Sequence, residues 1–105
     1  AIKILEDALA IEDAGCFMLE FEAVPAKIAK LISEQLTIPT IGIGAGPSCD
    51  GQVLVTNDML GLRDPGFKPK FLREYADLPP IISDAVARFL SDVRTGKYPN
   101  KDESF

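Results

Sequence analysis

The ten residues from Cys16 to Pro25 constrain the fold most, because they join a short apolar run, two acidic residues and a proline. A run of this length between a glycine and a proline is typical of a β-strand. Since side chains alternate between the two faces of a strand, we expect Glu20 and Glu22 to share one face and Phe21 to lie on the other. An acid at the carboxyl end of a strand that leads into a helix lies where α/β folds place their chemistry. Glu22 is therefore the leading catalytic candidate.

The composition is that of one ordinary globular domain, with 105 residues, of which 47% are apolar and 26% charged. The net charge of −5, with scattered Lys and Arg, argues against binding to nucleic acid or to an anionic membrane surface. No apolar stretch approaches the roughly 20 residues that cross a bilayer, and no secretory signal pattern is visible. We expect a cytoplasmic protein whose ligands are small molecules.

The cysteines do not predict a metal site. Cys16 and Cys49 are far apart in the sequence, no CxxC motif is present, and the chain contains no histidine. A zinc site needs a closer set of such ligands. We expect both thiols to be small buried hydrophobic groups.

Helical and strand patterns alternate along the chain, which is typical of a parallel sheet covered by helices. The long C-terminal helix has an apolar stripe and a glycine after its last turn, and the polar tail 97–105 is expected to be loosely ordered. The expected elements are helix 2–14, strand 17–22, helix 25–36, strand 39–43, strand 52–55, a short helix 71–76 and a long helix 79–94.

Three parallel strands are too few for a complete sheet of this kind, because both edges would be open and one face would lack helices. The chain also begins in a helix with no strand before it. A small open α/β domain is one interpretation. We favour the other, that the chain is the later part of a barrel.

The glycine-rich stretch Gly42–Gly46 follows a predicted strand, which invites a dinucleotide-binding interpretation. The spacing argues against it, because Pro47 stands where the third glycine of G-x-G-x-x-G belongs and no long helix follows. A tight turn, in which the glycines permit close approach at the end of the strand, is the favoured interpretation.

Four further charged residues are predicted to have ordinary roles. We expect Asp50 and Asp58, which lie near strand ends, to be cap or turn formers rather than ligands. Lys68 and Lys70 flank Pro69 in a loop and could meet an anion, but solvation is the expected state.

Several stretches of the chain together form a recognisable set of motifs: 22–26, 38–47, 49–55, 58–61, 67–71 and the closing Ser104-Phe105. The most specific of them is the IPTIGIGAG…CDGQVLV block. With these motifs the chain resembles the ketopantoate hydroxymethyltransferase (3-methyl-2-oxobutanoate hydroxymethyltransferase) family. The resemblance covers nearly the whole chain and corresponds to the later part of the family's sequence.

The resemblance implies a fold and a reaction. The family is a (β/α)8 TIM barrel of the phosphoenolpyruvate/pyruvate-binding type, so residues 1–105 would be the C-terminal portion of one barrel domain, with about three parallel strands plus C-terminal helices. It transfers a hydroxymethyl group from 5,10-methylenetetrahydrofolate to 3-methyl-2-oxobutanoate, giving 2-dehydropantoate (ketopantoate) in pantothenate biosynthesis. The resemblance places the general base on Glu22.

The resemblance also implies partners. Mg²⁺ is the implied cofactor, with its ligands in the missing N-terminal part and no metal ligand in this chain; the folate-binding residues stay unknown. The protein would be a homo-oligomer that needs the remainder of the barrel, and the isolated chain is predicted to be inactive.

The chain departs from the family pattern at three positions. Glu20 stands where an apolar residue is expected, and Asn57 and Glu103 stand where histidines are expected.

Two alternative functions stay open. One is another Mg²⁺-dependent 2-oxoacid lyase or mutase on the same barrel, and the other is a non-catalytic fragment.

Overall fold

The computed structural model describes residues 2–64 and 66–105 and shows an α/β chain with a parallel sheet, as the sequence predicts. The chain divides into two compact units, residues 2–55 with 66–72 and residues 56–64 with 73–105. The elements are α1 (Ile2–Asp13), β1 (Leu19–Glu22), α2 (Ala26–Ser33), β2 (Thr40–Ile43), β3 (Gly51–Gln52), α3 (Thr56–Met59), α4 (Pro79–Thr95) and a 3-10 helix (Lys101–Glu103).

The sheet has the order β1-β2-β3, and both strand pairs are parallel. Glu22 lies opposite Ile43, and Gly42 lies opposite Gln52. The third strand is shorter than predicted, since only the amide of Val53 continues the ladder, donating to the carbonyl of Gly42 at 3.0 Å. The run 52–55 is apolar enough for a longer strand, but beyond Val53 its backbone is not paired within the sheet.

The core of the first unit lies on one face of the sheet. Phe21 is only 4% exposed there, whereas Glu20 and Glu22 are exposed on the other face, which we call the acidic face. The predicted alternation along β1 is therefore confirmed. It does not extend to Phe17, which is 82% exposed because the strand begins only at Leu19. The buried core cluster consists of Ala8 from α1, Phe21 from β1, Ala29 and Ile32 from α2, and Ala45.

The helix α2 begins directly after Pro25, which is one residue later than predicted. The carbonyl of Pro25 accepts hydrogen bonds from the amides of Ile28 and Ala29 at 2.8 and 3.0 Å. Proline suits this position because its missing N–H would have no partner in the first turn. On the inner side of the helix Ile32 is fully buried, while the neighbouring Leu31 points outward and is exposed.

The link 44–50 between β2 and β3 contains no helix and crosses the sheet closely at Gly42. A Cβ atom at Gly42 would lie 3.0 Å from Sγ of Cys49 and 3.4 Å from Cβ of Ala45. The side chain of Gln52 secures the link by donating to the carbonyl of Gly46 at 2.9 Å. A larger residue at position 42 would push the link away from the sheet.

At the amino end of the sheet, two carboxylates hold the backbone of β2 and the segment before it. One oxygen of Glu12 accepts from the amide and hydroxyl of Thr37 at 2.6 and 2.7 Å and from the amide of Ile38 at 3.0 Å. Asp50 accepts from the amide and hydroxyl of Thr40 at 2.8 and 3.0 Å. Hydrogen bonds to the charged form lower the pKa of both groups, chiefly from Thr37 for Glu12 and from Thr40 for Asp50.

Thr40 joins Asp50 to α2. Its side chain is fully buried, and its hydroxyl lies 2.8 Å from the hydroxyl of Ser33. A buried hydroxyl without a partner would destabilise the fold, so this chain of hydrogen bonds satisfies Thr40 on both sides.

In the second unit, the long helix α4 confirms its prediction and ends at Gly96, whose φ is +71°. Its apolar side chains are nonetheless exposed, namely Ile81, Ile82, Val86, Phe89, Leu90 and Val93.

Within the described part of the chain, no helix has the length and apolar content to cross a membrane.

Two local predictions are wrong. The segment 71–76 is not helical; the amides of Tyr75 and Ala76 instead donate to the carbonyl of Met59 at the end of α3. The tail is more ordered than expected. The side chain of Asn100 caps the 3-10 helix, and the backbone amide of Asn100 donates to the carboxylate of Glu103 at 2.9 Å. The short helix α3 has no apolar periodicity to predict it.

We predict that Asp50→Asn destabilises the chain at neutral pH and has little effect in acid. Because the pKa of Asp50 is lowered from 3.8 in the folded state, its carboxylate adds stability above that value. The added stability is lost as the pH falls through the lowered folded-state pKa. In urea unfolding at one fixed protein concentration, the difference from wild type should be full at pH 7 and shrink from about pH 4 toward pH 2.

Asp7→Asn is the matched control for this series. Asp7 forms an exposed pair with Lys3 at 3.8 Å. Exposed pairs of this kind contribute little, so this variant should follow the wild type at every pH. A difference for Asp50→Asn that is as large at pH 2 as at pH 7 would contradict a role for its charge.

Candidate active site

Glu22 is the last residue of β1, so its side chain lies at the carboxyl end of the sheet. It is exposed on the acidic face. The amide of Ala23 donates to the carbonyl of Ile43 at 2.9 Å, which continues the pairing one residue past Glu22. The backbone on both sides of Glu22 is therefore held against β2, and only its side chain is free to meet a ligand.

The backbone directly after Glu22 is strained. Ala23 has a φ of +53°, and it is the one non-glycine residue with positive φ in the described part of the chain. This conformation costs an L-residue with a Cβ atom about 1–2 kcal/mol. Such strain is found at functional sites more often than elsewhere. Here it turns the chain sharply between the end of β1 and the start of α2.

Glu20 lies on the same face as Glu22, one layer closer to the amino end of β1. It is exposed and pairs in register with Ile41, whereas Glu22 pairs with Ile43. Neither carboxylate has an ion-pair partner among residues 2–64 and 66–105. The acidic face therefore presents two carboxylates to whatever occupies it.

The glycine-rich stretch forms the tight turn that the sequence predicts, and β3 rather than a long helix follows it. Gly44, the first residue after β2, has a φ of +65°. A Cβ atom there would lie 2.5 Å from Cδ1 of Phe71, so the aromatic ring lies directly on the glycine. At Gly44 the close approach is thus to a side chain. At Gly46, whose φ is +81°, it is also to backbone, since an added Cβ atom would lie 3.1 Å from Cα of Ala26.

This contact brings the segment 66–72 to the carboxyl end of the sheet, which the sequence analysis missed. The amide of Leu72 donates to the carbonyl of Pro69 at 3.0 Å, closing a turn, and Leu72 is only 6% exposed. Lys70 lies inside that turn and is exposed. The available signal was a glycine at a strand end that needs positive φ, but nothing in the pattern says which aromatic residue covers it.

The other acidic candidates have different places. Asp50 directly precedes β3 and accepts hydrogen bonds from Thr40 at the amino end of the sheet, and Asp58 lies in the first turn of α3, in the second unit. In the described ranges, no three His, Cys, Asp or Glu side chains lie close enough to hold a metal ion.

The cysteine prediction is wrong for Cys16. This thiol is exposed, because it precedes the strand rather than lying in it. Cys49 packs against the core of the first unit but is only half-buried, so the prediction is confirmed in part.

The positions where family histidines are expected lie in the second unit. Asn57 is exposed in α3, and its carbonyl accepts from the amide of Leu62 at 2.8 Å. Glu103 closes the capping box with Asn100. Both residues therefore have local structural contacts.

Comparison of the sequence with known protein families identifies the family of this chain. The sequence model of the ketopantoate hydroxymethyltransferase family matches residues 1–101. The chain belongs to this family. The resemblance seen in its motifs is confirmed.

Curated members of the ketopantoate hydroxymethyltransferase family align with all 105 residues. A 3-methyl-2-oxobutanoate hydroxymethyltransferase 1 of Methylibium petroleiphilum is 59% identical, and the chain covers 35% of its length. The 3-methyl-2-oxobutanoate hydroxymethyltransferase of Chlorobaculum tepidum is 54% identical, with 38% covered. That of Geobacter sulfurreducens is 51% identical, with 39% covered. The chain thus spans little more than a third of the length of these relatives.

We predict that Gly44→Ala destabilises the chain mainly through Phe71. An added methyl group would overlap the ring, and overpacking of this kind costs about 1–3 kcal/mol in addition to the strain of positive φ. Removing the ring with Phe71→Ala should abolish the overlap. The cost of Gly44→Ala in urea unfolding should therefore be smaller in the Phe71→Ala background.

Gly15→Ala is the matched control, because Gly15 has a φ of +90° and no neighbouring atom within 4 Å of an added Cβ. Its cost should be the same with and without Phe71. If the cost of Gly44→Ala is also independent of Phe71, the ring does not lie on this glycine in solution.

Proposed function

We propose that the protein to which this chain belongs transfers a hydroxymethyl group from 5,10-methylenetetrahydrofolate to 3-methyl-2-oxobutanoate, giving ketopantoate, with Glu22 as the general base. Membership of the family and the names of its curated relatives support the reaction. The observation that supports Glu22 is its place: an exposed carboxylate on the last residue of β1, followed by the strained Ala23.

The chemistry needs a base at one carbon atom of the acceptor. Removal of the proton from C3 of 3-methyl-2-oxobutanoate gives an enolate. One water molecule must hydrolyse the two C–N bonds of the donor's methylene bridge, which leaves tetrahydrofolate and supplies the oxygen of the new hydroxyl group. C3 of the enolate forms the C–C bond to that carbon, at the oxidation level of formaldehyde, and its oxygen takes up a proton. A carboxylate is a weak base toward a C–H bond in water. Exclusion of water and fixed orientation must therefore raise its effectiveness, and the held backbone around Glu22 supplies part of that orientation.

The remainder of the site belongs to parts of the barrel outside this chain. We propose a (β/α)8 barrel in which β1, β2 and β3 are three neighbouring strands, since their sequential parallel order fits that architecture. The Mg²⁺ ligands are proposed to come from the other strands. We further propose a cytoplasmic homo-oligomer.

We predict that Glu22→Gln lowers kcat by about 10³-fold, the usual contribution of a general base. The test uses a full-length chimera in which these 105 residues replace the matching segment of the Methylibium petroleiphilum relative. Ketopantoate formation is measured with and without 5,10-methylenetetrahydrofolate. Turnover should require the folate, which a lyase or mutase would not need.

Glu34→Gln is the matched control, since Glu34 is an exposed carboxylate at the C-cap of α2 that pairs with Lys30 at 3.7 Å. It should retain the activity of the parent chimera. A folded chimera without turnover would contradict the proposed reaction. Equal activity of Glu22→Gln and Glu34→Gln would contradict only the role of Glu22.

We also predict that the isolated 105-residue chain associates and has no turnover. Among residues 2–64 and 66–105, β1 and β3 each pair on one side only, and apolar side chains are exposed on α4 and at Val53 and Val55. Unpaired strand edges and apolar patches promote association. Gel filtration and the same assay test this; a monomeric chain with normal turnover would contradict it.

A further inference from the structure

The segment 66–72 places positive charge at the carboxyl end of the sheet. It contains Lys68 and Lys70 and no acidic residue. Phe71 anchors it on Gly44, the residue after the end of β2. Ile43, immediately before that glycine, is the register partner of Glu22. The two lysines therefore belong to the same end of the sheet as the proposed base.

Lys70 is fixed more closely than an ordinary surface lysine. It lies inside the turn that the Leu72 amide closes onto the carbonyl of Pro69 at 3.0 Å. Its neighbour Phe71 lies against Gly44, and the next residue, Leu72, is buried. The backbone of Lys70 is thus held on both sides while its side chain is exposed.

An anionic ligand that binds at the carboxyl end of the sheet needs a positive charge such as that of Lys70. The acidic face carries Glu20 and Glu22 without ion-pair partners in the described ranges, so the field at this end of β1 repels carboxylates. A cationic side chain at the same end of the sheet offsets the repulsion and attracts an anion.

The geometry points to Lys70, with Lys68 as a second charge, as the binding site for the glutamate carboxylates of the folate one-carbon donor. This inference rests on the proposed function. The small 2-oxoacid must place its C3 at Glu22, which leaves its own carboxylate close to the base. In the donor, a p-aminobenzoyl group separates the reacting carbon from the glutamate, so these carboxylates lie away from the base, where a separate cationic group can bind them.

The test measures Michaelis constants in the full-length chimera with 5,10-methylenetetrahydrofolate carrying one glutamate and carrying five. Lys70→Ala should raise the KM for the donor about fivefold, the equivalent of an exposed ion pair near 1 kcal/mol. The KM for 3-methyl-2-oxobutanoate should not change. Lys70→Arg should restore the donor's KM, because it keeps the charge.

Two further readouts separate charge recognition from a structural effect. The wild-type KM for the donor should rise with salt and fall with additional glutamates, and both dependences should weaken in Lys70→Ala. Lys30→Ala, which removes an exposed cation from α2, is the matched control and should keep both dependences. Thermal unfolding should be the same for both variants.

The outcomes distinguish this inference from the proposed function. A chimera with no folate-dependent turnover refutes the proposed function itself. An active chimera in which Lys70→Ala leaves the donor's KM unchanged overturns the inference alone. A rise in the KM for the 2-oxoacid instead of the donor also overturns it, since Lys70 would then bind the acceptor's carboxylate.

Discussion

The alternation of side chains along β1 determines what each face of the sheet does. Phe21 packs into the core between α1 and α2, and this burial forces Glu20 and Glu22 onto the opposite face. A shift of one residue in the pairing would exchange the two sets, burying both charges and exposing the aromatic ring. The hydrophobic core therefore positions the candidate base, although no core residue touches it.

The two ends of the sheet use their carboxylates differently. At the amino end, Glu12 and Asp50 accept backbone and hydroxyl hydrogen bonds and so stabilise the fold. At the carboxyl end, Glu22 is followed by a strained residue and forms no ion pair with the described residues. In barrels with parallel strands, stability and chemistry are divided between the ends in this way.

The secondary-structure elements that could be predicted are those whose formation depends on the pattern of apolar and polar residues within the element itself. Alternation in β1 and the apolar period of α4 each depend on neighbouring residues only, so both appear in the sequence. The short length of β3 and the non-helical segment 71–76 depend on backbone partners that lie far away, at Gly42 and Met59. Glu22 could be named as a candidate because a motif marks it. The position of Lys70 could not be predicted, because it depends on a contact between Phe71 and Gly44.

The helix-free link over Gly42 also affects the order in which strand pairs form. Seven residues, 44–50, separate β2 from β3, whereas 17 residues, 23–39, separate β1 from β2. Closing the shorter loop costs about 0.8 kcal/mol less conformational entropy. Loop closure by itself therefore favours pairing of β2 with β3 over pairing of β1 with β2, and by this measure the strand that carries the carboxylates is the later one to join the sheet.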